Sequence, residues 1–332
     1  MAEQGAVHGG QCVSRDGGDG PTVGQHRLAA DGGGSDNAVV DPSTVISASL
    51  VADGLTFLEG PRWHDGALWV SDFYTGMVLS FPDGCAPPQV IAHVPAQPSG
   101  LGWNPDGDLL VVSMLDRRIL RQTGGRLVPF ADAGALVVAP LNDMYVDPAG
   151  WCLVGNLGHA SGDEASFGPT PLLRVSAHGQ VTVAAQDLNF PNGIVRRPDG
   201  IVLVAETFAG RITAFDCDDD GRLSRRRRFV DWGPETEIFD IARATAELPL
   251  APDGMAVDRT GAVWVAGATG HGALRLDQHG RPAGFVDTGH YSAYAVALDE
   301  RDQRLFLCCA PPLGTVDVAA TRSGVLMVAQ LV

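Results

Sequence analysis

The sequence predicts an all-β fold, a six-bladed β-propeller of four-stranded antiparallel blades. One turn-and-strand opening recurs six times, at Glu59-Gly-Pro-Arg-Trp, Ser99-Gly-Leu-Gly-Trp, Asn142-Asp-Met-Tyr-Val, Asn192-Gly-Ile-Val-Arg, Asp253-Gly-Met-Ala-Val and Tyr294-Ala-Val-Ala-Leu. Their second residues (Gly60, Gly100, Asp143, Gly193, Gly254 and Ala295) follow one another at intervals of 40, 43, 50, 61 and 41 residues. A repeat of that length holds one small antiparallel sheet, which buries its faces only against neighbouring copies. Five repeats also carry a hairpin glycine (Gly66, Gly107, Gly150, Gly200, Gly261) where a tight turn calls for positive φ.

Taken in order, residues 1–42 are rich in Gly, Asp and Ser and read as a disordered tail, leaving 43–332 as the propeller domain. Within each repeat the first strand (Gly254-Met-Ala-Val-Asp) runs to the glycine turn. A second follows, as in Ala67-Leu-Trp-Val, Ile201-Val-Leu-Val and Ala262-Val-Trp-Val. A third carries apolar and basic residues (Arg211-Ile-Thr-Ala-Phe), and the fourth is shorter (Arg228-Phe-Val-Asp-Trp). The sixth repeat replaces its glycine turn with Asp299-Glu-Arg-Asp-Gln-Arg. The strand at Val325-Leu-Met-Val and one near Val45 are expected to help close the ring. In such a meander the starts of all first strands, the connections between blades and the loops between second and third strands share one face. The two longest insertions, 158–171 and 234–252, fall in those loop classes, and the second holds a candidate short helix at 238–244.

Composition narrows the function. The 332 residues carry a net charge of −16 and a pI near 4.8, which excludes a basic nucleic-acid-binding stripe. The one basic run, Arg225 to Arg228, follows the acidic turn at Asp216 to Asp220 and reads as a solvated strand edge. Six scattered cysteines form no CxxC pair and are expected to be free thiols. No apolar run spans a bilayer and no secretory leader is evident, so the expected setting is a reduced cytoplasm, without a membrane partner. The oligomeric state is not legible.

Radial packing brings the first residue of every repeat to one end of the channel. Glu59, Asn142, Asn192 and Asp253 would then present two carboxylates and two carboxamides at one level. An all-oxygen set suits a hard cation, Ca²⁺ first, with Mg²⁺ or Mn²⁺ next. Zn²⁺ more often takes His or Cys. Each of these residues alone is also an ordinary turn residue; the shared register is what singles them out. Asn156 and Glu206 end second strands on the same face, and Tyr294 opens the sixth repeat there; Asn156 and Tyr294 are candidate substrate contacts. His271 and His290 fall on loops of that face, with solvent exposure the simpler expectation. Neither Ser71 nor Ser113 lies in a Gly-x-Ser-x-Gly elbow.

The runs Leu58-Glu-Gly-Pro-Arg-Trp, Leu141-Asn-Asp-Met-Tyr-Val-Asp-Pro-Ala-Gly, Phe190-Pro-Asn-Gly-Ile and Ala251-Pro-Asp-Gly-Met-Ala-Val-Asp resemble the SMP-30/gluconolactonase/LRE-like family over about residues 50–330. The resemblance implies a metal-dependent hydrolase of small-molecule lactones or esters. Glu59, Asn192 and Asp253 would bind the metal, Asn142 would assist it or orient substrate, and Asp253 would serve as general base. One departure stands out. Where animal sugar-lactonase members carry an arginine that contacts sugar hydroxyls, this chain has Pro140, and its top-face loops are rich in aromatics (Phe73, Tyr74, Phe167, Phe208, Tyr291). An aldonolactone is therefore less expected than a hydrophobic lactone or ester. Two other classes compete. A non-catalytic binding propeller has no reason to gather four oxygen ligands at one level, and propellers of specialised metabolism resembling strictosidine synthase lack the metal carboxylates.

Overall fold

The computed structural model describes residues 44–159, 167–234, 238–301 and 303–331. The expected tail, 1–42, and the middle of the insertion at 158–171 lie outside the described residues. Two short strands, β1 (Val45–Ser47) and β2 (Ser49–Leu55), precede the first blade. Blade one is β3 (Leu58–His64), β4 (Ala67–Asp72), β5 (Met77–Pro82) and β6 (Gln89–His93). Blade two is β7 (Pro98–Trp103), β8 (Leu109–Ser113), β9 (Arg118–Thr123) and β10 (Arg126–Asp132). Blade three is β11 (Leu141–Val146), β12 (Cys152–Asn156), β13 (Pro169–Val175) and β14 (Val181–Asn189). Blade four is β15 (Pro191–Arg196), β16 (Ile201–Glu206), β17 (Arg211–Cys217) and β18 (Leu223–Asp231). Helix α1 (Ile241–Glu247) then leads to blade five, β19 (Pro252–Val257), β20 (Val263–Gly267), β21 (Gly272–Leu276) and β22 (Pro282–Asp287). In the last blade β23 (Ser292–Asp299) and β24 (Arg304–Ala310) are followed by helix α2 (Val318–Thr321) and β25 (Gly324–Gln330).

The ring closes by a strand exchange between its ends. β2, from the start of the propeller, pairs antiparallel with β25 and becomes the outer strand of blade six. β1 adds a fifth strand to blade five and runs parallel to β22 (Val45 opposite Phe285), which the sequence pattern does not distinguish from β2. Trp63 of blade one stacks on Phe306 of blade six at 5.5 Å, and the Arg304 guanidinium lies over both rings.

Six apolar cores hold the blades, one at each junction. Leu68, Val70 and Phe81 of blade one meet Ala297, Phe306 and Cys308 of blade six. Val195, Leu203 and Ile212 of blade four meet Met255, Val263 and Leu274 of blade five. The remaining four junctions are built alike, from alternate residues of the strands. This is why the second strands read as near-continuous apolar runs: both faces are covered.

The inner strands carry a feature that periodicity does not show. In all six blades the pairing of the first two strands shifts register near the top of the first strand. In blades two to five the two residues set against one are Ser99-Gly100, Asn142-Asp143, Asn192-Gly193 and Asp253-Gly254. A bulge bends its strand and re-aims its side chains. Glycine after the bulged residue lets adjacent inner strands approach. A Cβ on Gly100 would lie 2.4 Å from the Met144 nitrogen, and one on Gly193 would lie 2.4 Å from the Asp253 carbonyl oxygen.

Two expectations are corrected. Cys85 is disulfide-bonded, while Cys152, Cys217, Cys308 and Cys309 are free as expected. The short helix of the second insertion starts later than 238, at Ile241, because the Asp240 carboxylate accepts from the Arg243 backbone N–H and caps it there. The basic run lies on β18, the outer strand of blade four. Arg225 and Arg227 pair with Asp216, Arg226 with Glu206 and Arg228 with Asp231. Among the described residues no helix is long and apolar enough to cross a membrane.

Gly193→Ala should push the inner strands of blades four and five apart and cost about 1–3 kcal/mol in urea unfolding. Gly284→Ala, whose Cβ would meet nothing nearer than 3.7 Å, should stay within about 0.5 kcal/mol of the parent.

Candidate metal centre

The bulges bring the predicted residues to one end of the channel. Glu59, Asn142, Asn192 and Asp253 all sit there at no more than 5 % exposure, with Ser99 and Tyr294 from the other two blades also buried. Their hydrogen bonding is sparse for buried polar groups. The Gly60 N–H donates to Glu59 Oε2 at 3.3 Å, and the Ser99 hydroxyl donates to Asn142 Oδ1 at 3.4 Å. Asn192 Oδ1 and Asp253 Oδ1 are buried without any partner. Leaving an acceptor unpaired in the interior costs about 1–3 kcal/mol, so two at one level need a reason.

Electrostatics sharpen the question. Burial, then the charges of Asp253 and Asp143, push the Glu59 carboxyl well above its ordinary range, with the Gly60 N–H and Arg62 opposing. Burial, then Asp143, push Asp253 up likewise, and only the Gly254 N–H opposes. Asp143, the bulge residue after Asn142, takes no place in the predicted ligand set. Its Oδ1 accepts from Arg62 Nη2 at 2.8 Å and from the Met144 N–H at 2.8 Å. Three carboxylates thus converge in a buried channel with one guanidinium among them. A divalent cation is the group such a site fits: it would neutralise the two carboxylates and take the orphaned oxygens of Asn192 and Asp253. Among the described residues no group of three or more His, Cys, Asp and Glu is placed to hold a metal; the candidate set includes two carboxamides, whose oxygens are donors for a hard cation rather than for zinc.

The remaining candidates take different places. Asn156, fully buried, engages its carboxamide locally. Nδ2 donates to the Pro171 carbonyl at 2.7 Å, while Oδ1 accepts from the Gly158 N–H at 3.1 Å and from the Thr170 hydroxyl at 2.6 Å. It ties the ends of the 158–171 insertion together. The Tyr294 hydroxyl donates to the Pro311 carbonyl at 3.0 Å and its ring packs on Phe57 at 4.6 Å. Burial holds its phenol above the usual range, a hydrogen bond with Ser292 opposes, and the charges of Asp253 and Glu59 raise it further. Glu206 is a structural acid. Burial raises it, but Arg211, the Thr213 hydroxyl and the Asn189 N–H together hold it below its usual range. His271 and His290 are exposed.

Above the centre lies an apolar roof that sequence reasoning saw only in part. Phe167, Phe190, Phe208, Ile238 and Tyr294 are buried together, with Phe57 and Leu157 against them. Phe57 and Phe190 each lie two residues before a ligand candidate, Glu59 and Asn192, and that recurrence was the available signal.

The chain belongs to the SMP-30/gluconolactonase/LRE-like family, whose model matches residues 57–310. It is 29 % identical, over 255 residues, to the pentonolactonase XacC of Haloferax volcanii, covering 74 % of this chain and 78 % of that protein. Among solved structures it is similar to a gluconolactonase of Xanthomonas campestris (24 % identity, TM-score 0.66, covering 86 % of this chain and 89 % of that one). It is also similar to the calcium-binding protein regucalcin of Agrobacterium tumefaciens (20 % identity, TM-score 0.70, covering 87 % and 95 %). At these identities the structural likenesses show the propeller fold.

An acid whose folded pKa is raised costs stability once ionised. That cost is absent below the unfolded value of about 3.9 and grows as pH rises toward the folded one, by about 1.4 kcal/mol for each tenfold weakening of the acid. In chelator, Asp253→Asn should therefore melt at a higher temperature than the parent at pH 7, and the gap should close as pH falls toward about 4.

Proposed function

We propose that this protein is a metal-dependent hydrolase that opens a lactone to the hydroxy acid. The observation that carries the reading is the convergence of Glu59, Asn142, Asn192 and Asp253 on one buried level, with two oxygens left unpaired. The 29 % identity to a pentonolactonase supports a cyclic ester as the substrate class.

Glu59, Asn192 and Asp253, with help from Asn142, would hold one divalent cation, Ca²⁺ first and Mg²⁺, Mn²⁺ or Zn²⁺ as alternatives. When bound, it supplies Lewis acidity for the carbonyl and lowers the pKa of water. The protein supplies the rest. The Ser99 hydroxyl donates to Asn142 Oδ1, and the amide N–H group would face the substrate oxygen. With Oδ1 taken by the cation, the other oxygen of the Asp253 carboxylate would accept a proton from the attacking water as the new C–O bond forms. The ring C–O bond then breaks, and the same proton passes to the departing alkoxide, so the product carries one carboxylic acid and one hydroxyl. The roof of Phe57, Phe190, Phe208 and Tyr294 limits water at the centre and strengthens these charge interactions. On the same reading, residues 43–332 form the hydrolytic domain.

Asp253→Asn keeps a coordinating oxygen and removes the proton acceptor. With metal restored, its turnover on the best lactone should fall by about 10² to 10⁴ while metal content falls only modestly. Glu59→Ala should lose metal and turnover together. An Asp253→Asn protein with full metal and near-parental turnover would remove Asp253 as the base.

A further inference from the structure

The residue after the opening position of each inner strand is small in five blades: Gly60, Gly100, Gly193, Gly254 and Ala295. The glycines let neighbouring strands close up. A Cβ on Gly60 would lie 2.5 Å from the Ser99 carbonyl oxygen, and one on Gly254 would lie 2.7 Å from the Ala295 Cα. Blade three departs from this rule. Its residue at the same place is Asp143, a buried carboxylate whose Oδ1 accepts from Arg62 Nη2 at 2.8 Å. Arg62 stands on β3 of blade one, so the ion pair skips the intervening blade two.

The guanidinium is fixed at both ends. Nη2 also donates to the Met144 carbonyl, and Nη1 donates to the Pro61 carbonyl at 2.8 Å. Arg62 therefore grips the two residues that follow Asn142 while anchored to the strand of Glu59. The Arg62 side chain is 24 % exposed and that of Asp143 only 4 %, so solvent screens the pair weakly and its charges carry to the centre. After burial and Asp253, the charge of Asp143 raises the Glu59 carboxyl, and Arg62 opposes that rise; at Asp253, burial comes first and Asp143 second. An arginine that only tied two strands together would need no acid here, since backbone carbonyls such as those of Met144 and Pro61 would serve it.

Resting on the metal-centre reading above, we infer that Arg62 is a positioning residue of that centre: it fixes and neutralises Asp143, so that the cation meets the field of two carboxylates rather than three, and thereby sets how tightly the cation is held. With Asp143 matched by Arg62, the charges left over are those of Glu59 and Asp253, which one divalent cation neutralises. The count of charges around a hard cation is what tunes its affinity.

The test is calorimetric titration of the chelator-stripped full chain with Ca²⁺, without substrate. Arg62→Met leaves Asp143 uncompensated and should tighten Ca²⁺ binding about tenfold. Asp143→Asn leaves the Arg62 charge to oppose the cation and should weaken binding by about the same factor. The double variant Arg62→Met/Asp143→Asn should return to within about threefold of the parent. Arg62→Lys, which keeps the charge without the planar fork, should also stay within about threefold. If Arg62→Met alone does not fold because of its unpaired acid, the double variant measured against Asp143→Asn reads the same contrast. Loss of Arg62 on that background should again tighten binding about tenfold. Opposite signs in the two single variants are what a mechanical strut does not produce. Weaker binding in every variant, or unchanged binding in all, would overturn this inference and leave the metal centre standing. A parent that binds neither Ca²⁺ nor Mn²⁺ at millimolar concentration would overturn both.

Discussion

The mutual repulsion of buried carboxylates at the end of the channel is the constraint around which the structure is arranged. Glu59 and Asp253 are almost fully removed from water, Asp143 adds its field to both, and Arg62 is the counter-charge that the protein supplies. Left alone, such a cluster opposes folding, since ions in a low-dielectric interior cost several kcal/mol each unless paired. It persists because the surrounding framework over-determines its geometry. Six interblade cores lock the ring, and strand exchange between β2 and β25 leaves it no free end to open. The cluster is thus held in place at a cost in stability.

The same framework separates the two faces of the disc. The far face carries short Asp, Gly and Asn turns such as Asn104-Pro-Asp-Gly and Asp258-Arg-Thr-Gly, whose carboxylates and carboxamides take up their own backbone N–H groups. The near face carries the long connections, and their aromatic and aliphatic side chains pack over the centre. The inner strands set which oxygens face the channel, and the connections, free to vary in length, set what reaches them.

Much of this was legible from residue order alone. The period of the repeats, the hairpin glycines and the shared register of Glu59, Asn142, Asn192 and Asp253 are local patterns, and the structure gathers those four residues as the register implied. What escaped was non-local or depended on counting two strands against each other. The bulges are invisible in one strand, since only the partner shows that Asn192-Gly193 faces a single residue. The pairing of Arg62 with Asp143 spans 81 residues of sequence, so neither residue advertises the other. Asn156 had the right strand end and the right face, yet its carboxamide is engaged by the loop it anchors, a contact decided by where Thr170 and Pro171 return. The parallel addition of β1 to blade five likewise depends on parts of the chain distant in sequence.

The most direct measurement is an anomalous-difference map from crystals of the full chain grown with Ca²⁺ and soaked in Mn²⁺. One peak is expected in the channel, with oxygens of Glu59, Asn192 and Asp253 at about 2.1–2.6 Å and the Asn142 carboxamide beside it. A channel without a peak at saturating cation, or a peak bound elsewhere on the disc while activity is retained, would contradict the assignment of these residues as the metal centre.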